Sequence, residues 1–191
     1  MKNRPQKGDF NYLSWQKKFT LIRTLAYFLI VFAVFLIGYI TTKTRNNLLT
    51  VVAILGVLPA GKSLVNTIMF FRFTPAAETL KNSLKEAEDK ITILYNMMIS
   101  SSEKIYFADC IAISNHSVYL YITNEKTDEK KVEKYLKNVL SNHGKGNVNI
   151  KAYKSSSEFL SRLKTAKDLQ SNEENADFEE KIADILKSFC L

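Results

Sequence analysis

The chain has 191 residues, 46% of them hydrophobic, and a formal charge of +8. The basic excess is uneven: six Lys or Arg against one acid precede residue 24, whereas 17 basic and 18 acidic residues follow residue 73. A nucleic-acid-binding domain carries its positive charge on itself, so this distribution argues against a nucleic-acid partner.

Residues 1–10 are polar and read as disordered. Trp15, Phe19, Leu21 and Ile22 then mix with Lys17, Lys18 and Arg23, a pattern that suits a short interfacial helix closing an N-terminal segment of residues 1–23. From residue 24 to residue 42 there is no charge, and a second apolar run over 48–71 is broken only by Pro59 and Lys62. Crossing a hydrocarbon core of roughly 30 Å takes about 20 apolar residues, so residues 24–73 are expected to form a two-helix transmembrane hairpin. The second run admits two readings. One helix bends at Pro59 while Lys62 reaches for the surface, or the span stops near Ala60 and an amphipathic surface helix continues. A cleaved signal peptide fits poorly, because no small-x-small site follows Ile40.

Orientation follows from the cations. Lys2, Arg4, Lys7, Lys17, Lys18 and Arg23 precede the first run, and Lys62, Arg72, Lys81, Lys85 and Lys90 lie within or after the second; the loop between them has only Lys43 and Arg45. The more positive side faces the cytoplasm. The expectation is therefore a multi-pass protein of the inner (plasma) membrane with both termini cytoplasmic.

Residues 74–191 are expected to be a cytoplasmic domain. Thr74 and Pro75 read as the N-cap and first position of a helix. Leu80, Leu84, Ala87, Ile91, Leu94 and Met98 follow at spacings of four, three, four, three and four, with Glu86 and Lys90 one turn apart on the outside. Such an a/d seam either covers the sheet of its own domain or forms a parallel dimer stalk. After Ser100–Ser102 the pattern turns to strands: residues 105–113, a turn at Asn115 and His116, and Val118-Tyr-Leu-Tyr-Ile-Thr123. A helix over 128–140 stops at Gly144, and Val148, Ile150, Ala152 and Tyr153 form a third strand. Ser155 with Glu158 reads as a capping box for a helix to about Leu169. A polar linker over 170–176 precedes a last helix, capped by Asp177 with Glu180 and bearing Phe178, Ile182, Ile185, Leu186 and Phe189. The fold class is an α+β or α/β domain with a small mixed or antiparallel sheet of about three strands, attached to the hairpin.

Gly56-Val-Leu-Pro-Ala-Gly61-Lys62-Ser63 matches the phosphate-cradling pattern G-x-x-x-x-G-K-S, with a β-like run over 50–55 before it and a helical run over 64–71 after it. Gly56, Gly61, Lys62 and Ser63 are thus the candidate nucleotide-binding residues, and Asp109 would supply the magnesium ligand. Against this, the loop would lie in or beside a membrane span, where Gly and Pro are common anyway. A metal-dependent nuclease would need a carboxylate-x-Lys on the strand after Asp109; that strand has none, and Asn149-Ile150-Lys151 is a faint echo. Cys110 and His116 could pair as nucleophile and base, although Cys is commonly a plain buried residue. Cys110 and Cys190 would face a reducing cytosol, which disfavours a disulfide. Between 126 and 167 there are 11 basic and four acidic residues, a solvated face or one that leans on anionic headgroups.

The stretch Leu58-Pro-Ala-Gly-Lys-Ser-Leu-Val-Asn-Thr-Ile-Met-Phe-Phe-Arg-Phe-Thr-Pro75, after two apolar runs, resembles uncharacterised small two-pass membrane proteins of Gram-positive bacteria. The resemblance implies a bacterial inner-membrane protein and brings no activity. No catalytic residue, cofactor or metal is expected. The expected partners are the lipid bilayer and either a second copy of the chain or another membrane or cytoplasmic protein, the role being a membrane-tethered interaction or assembly module. The alternative is nucleotide binding at Gly56–Ser63.

Overall fold

A computed structural model describes residues 4–44, 47–88, 91–101, 104–114, 116–168 and 174–191. Lys2, Arg45, Lys90, Ser102, Asn115, Leu169 and linker residues 170–173, all invoked above, lie outside the described residues, as does the Glu86 side chain. The chain divides into two compact units, Leu13–Thr74 and a second made of Met1–Tyr12 with Pro75–Leu191.

The first unit is a pair of long helices, α1 (Tyr12–Thr42) and α2 (Leu48–Phe71). The expected interfacial helix is the first part of α1, with no break at residue 23. Likewise α2 runs unbroken through Pro59, so the second apolar run is one helix rather than a short helix followed by another. Proline cannot donate to the carbonyl of Leu55, a loss that membrane helices tolerate.

The face of α2 that meets α1 is a stripe of mostly small residues at alternating three- and four-residue steps: Ala53, Gly56, Ala60, Ser63, Thr67 and Phe70. Thr24, Val31 and Gly38 answer it from α1 at heptad spacing. Small side chains let helix backbones approach closely in an apolar medium. A Cβ on Gly38 would stand 2.7 Å from Leu49 Cβ and 2.8 Å from Asn47 Oδ1, closer than carbon packs. Asn47 builds the turn: its Oδ1 accepts from the Thr50 N–H at 2.8 Å, and its Nδ2 donates to the Gly38 carbonyl at 3.0 Å. Further down, Thr24 Oγ1 bonds Ser63 Oγ at 2.7 Å and Thr67 Oγ1 at 2.9 Å.

The second unit holds a mixed sheet of four strands in the order β1-β2-β3-β4: β1 (Thr92–Ser100), β2 (Ile105–Ser114), β3 (Ser117–Tyr121) and β4 (Asn149–Tyr153). Neighbours β1/β2 and β2/β3 are antiparallel, and β3/β4 are parallel through the crossover helix α4 (Glu129–Asn142). Asp128 caps α4, accepting from the N–H groups of Lys130 and Lys131, and Gly144 at φ +72 follows its end. Helices α4 and α6 (Glu174–Ser188) cover one face, with Val132, Leu136, Leu140, Ile182 and Leu186 over Ile111, Ile113 and Leu120. Helices α3 (Glu78–Glu88) and α5 (Ser156–Asp168) cover the other, with Leu80, Leu84, Phe159 and Leu163 against Tyr95, Cys110 and Ala112.

Four expectations are corrected. The sheet has four strands, not three, because the helix expected from Pro75 through Met98 ends at Glu88 and residues 92–100 form β1. The run Ile91-Thr-Ile-Leu-Tyr-Asn-Met-Met-Ile99 is apolar on both faces, so its heptad match at Ile91, Leu94 and Met98 is incidental. Thr74 and Pro75 precede α3 rather than opening it, since the helix starts at Glu78. The described part of the segment before α1 packs on the sheet, the Gly8 carbonyl accepting from the Tyr95 N–H at 2.7 Å, instead of being disordered. Finally, Asp177 lies inside α6, where it pairs with Lys181 at 2.6 Å instead of capping the helix.

Candidate functional site

The phosphate-loop pattern is helical throughout. Gly56, Gly61, Lys62 and Ser63 all lie inside α2, as do residues 50–55. A phosphate cradle needs a strand leading into a loop whose free N–H groups converge, and this segment has neither. Lys62 is exposed, and Ser63 turns its hydroxyl to Thr24.

The seam is also divided. Leu80, Leu84 and Ile91 are buried in the core beneath α3 and α5, where Ala87 packs half-buried. Leu94 belongs to the opposite core, and Met98 is 1% exposed on β1. These six side chains are occupied within their own domain.

Cys110 and His116 are not brought together. Cys110 is fully buried in the α3/α5 core, while His116, at φ 62, stacks on Phe178, which packs against the α4/α6 core. Asp109 and Lys151 sit on strands separated by β3, and Asp109 accepts from the Thr123 N–H at 2.7 Å. Burial pushes the Asp109 carboxyl above the usual carboxylate range, the Thr123 hydrogen bonds opposing the shift. Burial likewise pushes the Cys190 thiol up to about 12, which keeps it protonated. Among the described residues no three His, Cys, Asp or Glu side chains are grouped to hold a metal.

What the structure does assemble is a polar clamp at Asn96, a residue that no motif in the sequence singles out. Asn96 is 2% exposed and adopts φ 53, the left-handed region that Asn tolerates better than most residues. It stands across from Asp109, between the pairs Tyr95↔Cys110 and Met97↔Ala108. Side-chain alternation slips on both strands at this rung. Leu94, Met97 and Ile99 share the α4/α6 core, as do Tyr106, Ala108 and Ile111.

The slip frees the Asn96 side chain to bond elsewhere. Its Oδ1 accepts from the Ala76 N–H at 2.7 Å, and its Nδ2 donates to the Phe10 carbonyl at 2.8 Å. Phe10 lies two residues before α1, and Ala76 follows α2. One buried amide therefore holds both the strand of chain that enters the helix pair and the one that returns from it. Phe10 adds an edge-on contact to Tyr95, with ring centroids 5.5 Å apart, and Lys81 Nζ lies 4.9 Å from its ring.

The outer edge of β1 is closed by the segment before α1 and by the residues after α6. Besides the Gly8 bond, the Ser100 N–H donates to the Phe189 carbonyl at 3.0 Å and the Leu191 N–H to the Met98 carbonyl at 3.1 Å. Lys7 Nζ donates to the Cys190 carbonyl. At the other edge, the Glu133 carboxylate accepts from the Ala152 N–H at 2.8 Å. Both edges are thus blunted against pairing with another strand.

Every exposed large hydrophobic side chain among the described residues lies on α1 or α2, from Phe19 to Ile40 and from Leu48 to Phe71. These are also the two helices long and apolar enough to cross a membrane. Comparison with protein-family models, with curated proteins and with solved structures gives no match to this chain.

Proposed function

We propose that this chain is a bacterial two-pass protein of the plasma membrane, with both termini cytoplasmic. Its sheet domain serves as a membrane-tethered interaction or assembly module rather than an enzyme. The observation that carries this reading is the partition of apolar surface: α1 and α2 expose Leu25, Leu29, Ile30, Phe32, Leu55 and Leu58 with no protein cover, while the sheet domain buries its own large apolar side chains. In water such a surface would aggregate; in lipid it is solvated. The cation count favours the N-in, C-in orientation. A partner would meet a polar surface, such as the exposed lysines of α4, since Leu80, Leu84, Ile91 and Met98 are buried.

Cysteine accessibility in intact cells tests the topology. Cys110 and Cys190 are both buried, so the background is low. A membrane-impermeant maleimide should label Lys43→Cys and leave Lys154→Cys unlabelled until the cells are opened. Labelling of Lys154→Cys in intact cells would reverse the orientation.

A further inference from the structure

Leu13–Thr74 contains seven Lys or Arg and no Asp or Glu. Two of the cations have a particular placement. Arg23 comes one residue before Thr24, and Lys62 one residue before Ser63, the pair whose hydroxyls join the helices. One residue turns 100° about a helix axis, and in antiparallel helices these two steps land on the same side of the pair. Gln16, seven residues before Arg23, and Asn66, four after Lys62, continue the same stripe. The opposite side, one residue after each of the joining positions Thr24, Ser63 and Thr67, carries exposed Leu25, Leu64 and Ile68.

Two atoms on the polar side are unsatisfied. Gln16 Oε1 and Arg23 Nε are buried without a hydrogen-bond partner in the structure. Such groups are costly to leave unpaired. They ask for an acceptor at Arg23 and a donor at Gln16. Depth supplies the rest: from Leu25 to the end of α1 at Thr42, 18 residues at 1.5 Å each span about 27 Å, close to one hydrocarbon thickness. The polar side therefore stands at headgroup level when the hairpin spans a bilayer.

We propose that Gln16, Arg23, Lys62 and Asn66 bind the headgroup of an anionic, hydroxyl-bearing phospholipid of the phosphatidylglycerol type. The phosphodiester oxygens accept from Arg23 and Lys62, and a rotation of the half-buried Gln16 side chain that uncovers its Oε1 lets a glycerol hydroxyl donate to it. A choline headgroup offers no such donor and brings a cation against two others. The inference rests on the membrane-spanning reading above.

The test uses the full chain, delipidated in detergent and titrated with phosphatidylglycerol or phosphatidylcholine, with bound lipid read by native mass spectrometry. Wild type should prefer phosphatidylglycerol by about 25-fold, from about fivefold per well-placed charge. Arg23→Gln with Lys62→Gln should abolish the preference, Arg23→Lys should keep most of it, and Lys18→Gln with Lys43→Gln should leave it nearly intact. Equal binding of both lipids by wild type, or equal loss in the Lys18/Lys43 control, overturns the site in favour of diffuse attraction. Displacement of the lipid by millimolar inorganic phosphate overturns the lipid as its occupant. Incorporation into phosphatidylcholine vesicles is scored separately: a chain that inserts without lipid preference refutes this site alone, and one that fails to insert refutes the anchor as well.

Discussion

Replacing Asn96 by Ala is expected to loosen the sheet domain where the chain leaves for α1 and returns from α2. The substitution removes the acceptor of the Ala76 N–H and the donor to the Phe10 carbonyl. Each buried group left unpaired costs about 1–3 kcal/mol. Alanine at φ 53 adds about 1–2 kcal/mol of backbone strain that Asn bears more easily. The sum is about 3–8 kcal/mol, a large part of what holds a domain of this size together. Near-ultraviolet circular dichroism of the full chain in detergent should show the domain transition at least about 10 °C lower. Hydrogen exchange should lose protection first at Ala76 and at Tyr95, whose N–H is bonded to Gly8. Asn96→Gly separates the two terms, since glycine accepts the backbone and loses only the hydrogen bonds. Asn96→Asp keeps the acceptor for Ala76 and should fall between wild type and alanine. A loss below about 0.5 kcal/mol for Asn96→Ala, the range of an ordinary surface change, would refute the clamp.

Three further outcomes are expected. In the hydroxyl cluster, Thr24→Val and Ser63→Ala should show a coupling of about 0.6–1.7 kcal/mol in a double-mutant cycle of the lipid-embedded protein; additive effects would mean the bond is not made. Gly38→Leu drives a side chain into Leu49 and Asn47 and should destabilise the hairpin turn by about 1–3 kcal/mol, read by the same unfolding assay. For Asp109 the folded carboxyl holds its proton to higher pH than the unfolded one. Its contribution is therefore favourable at acid pH and is lost as pH rises from the ordinary carboxylate value through the raised one. Asp109→Asn, whose side chain still presents an oxygen to Thr123, should match or exceed wild type in chemical denaturation at neutral pH and lose that advantage in acid. A variant more stable relative to wild type in acid than at neutrality would reverse the sign.

The two long helices were legible because their signal is length: two apolar runs of about 20 residues each, the second interrupted only by Pro59 and Lys62, match the thickness of a bilayer. The crossover helix α4 and its stop were legible from local chemistry, Asp128 at one end and Gly144 at the other. Strand β1 was not, because Ile91, Leu94 and Met98 satisfy heptad spacing while their neighbours Ile93, Tyr95 and Met97 are equally apolar. A run buried on both faces has no period to read. The N-terminal segment looked structureless since its bond to β1 is made by the Gly8 backbone, which leaves no trace in side-chain pattern. Asn96 did leave one, a lone amide inside an apolar run. Its two partners lie 20 and 86 residues away, however, and only the fold brings them to it. The phosphate-loop match shows the converse: Gly56, Gly61, Lys62 and Ser63 have the right letters, and the apolar helix around them decides the backbone.

Alkaline carbonate extraction of membranes from cells expressing the full chain asks most directly whether α1 and α2 are embedded in lipid. The protein should remain with the membrane pellet at high pH and be released only by detergent. Recovery of folded, monodisperse chain in the carbonate supernatant would contradict it, because no soluble protein keeps the surface from Leu25 to Ile40 and from Leu48 to Leu58 in water.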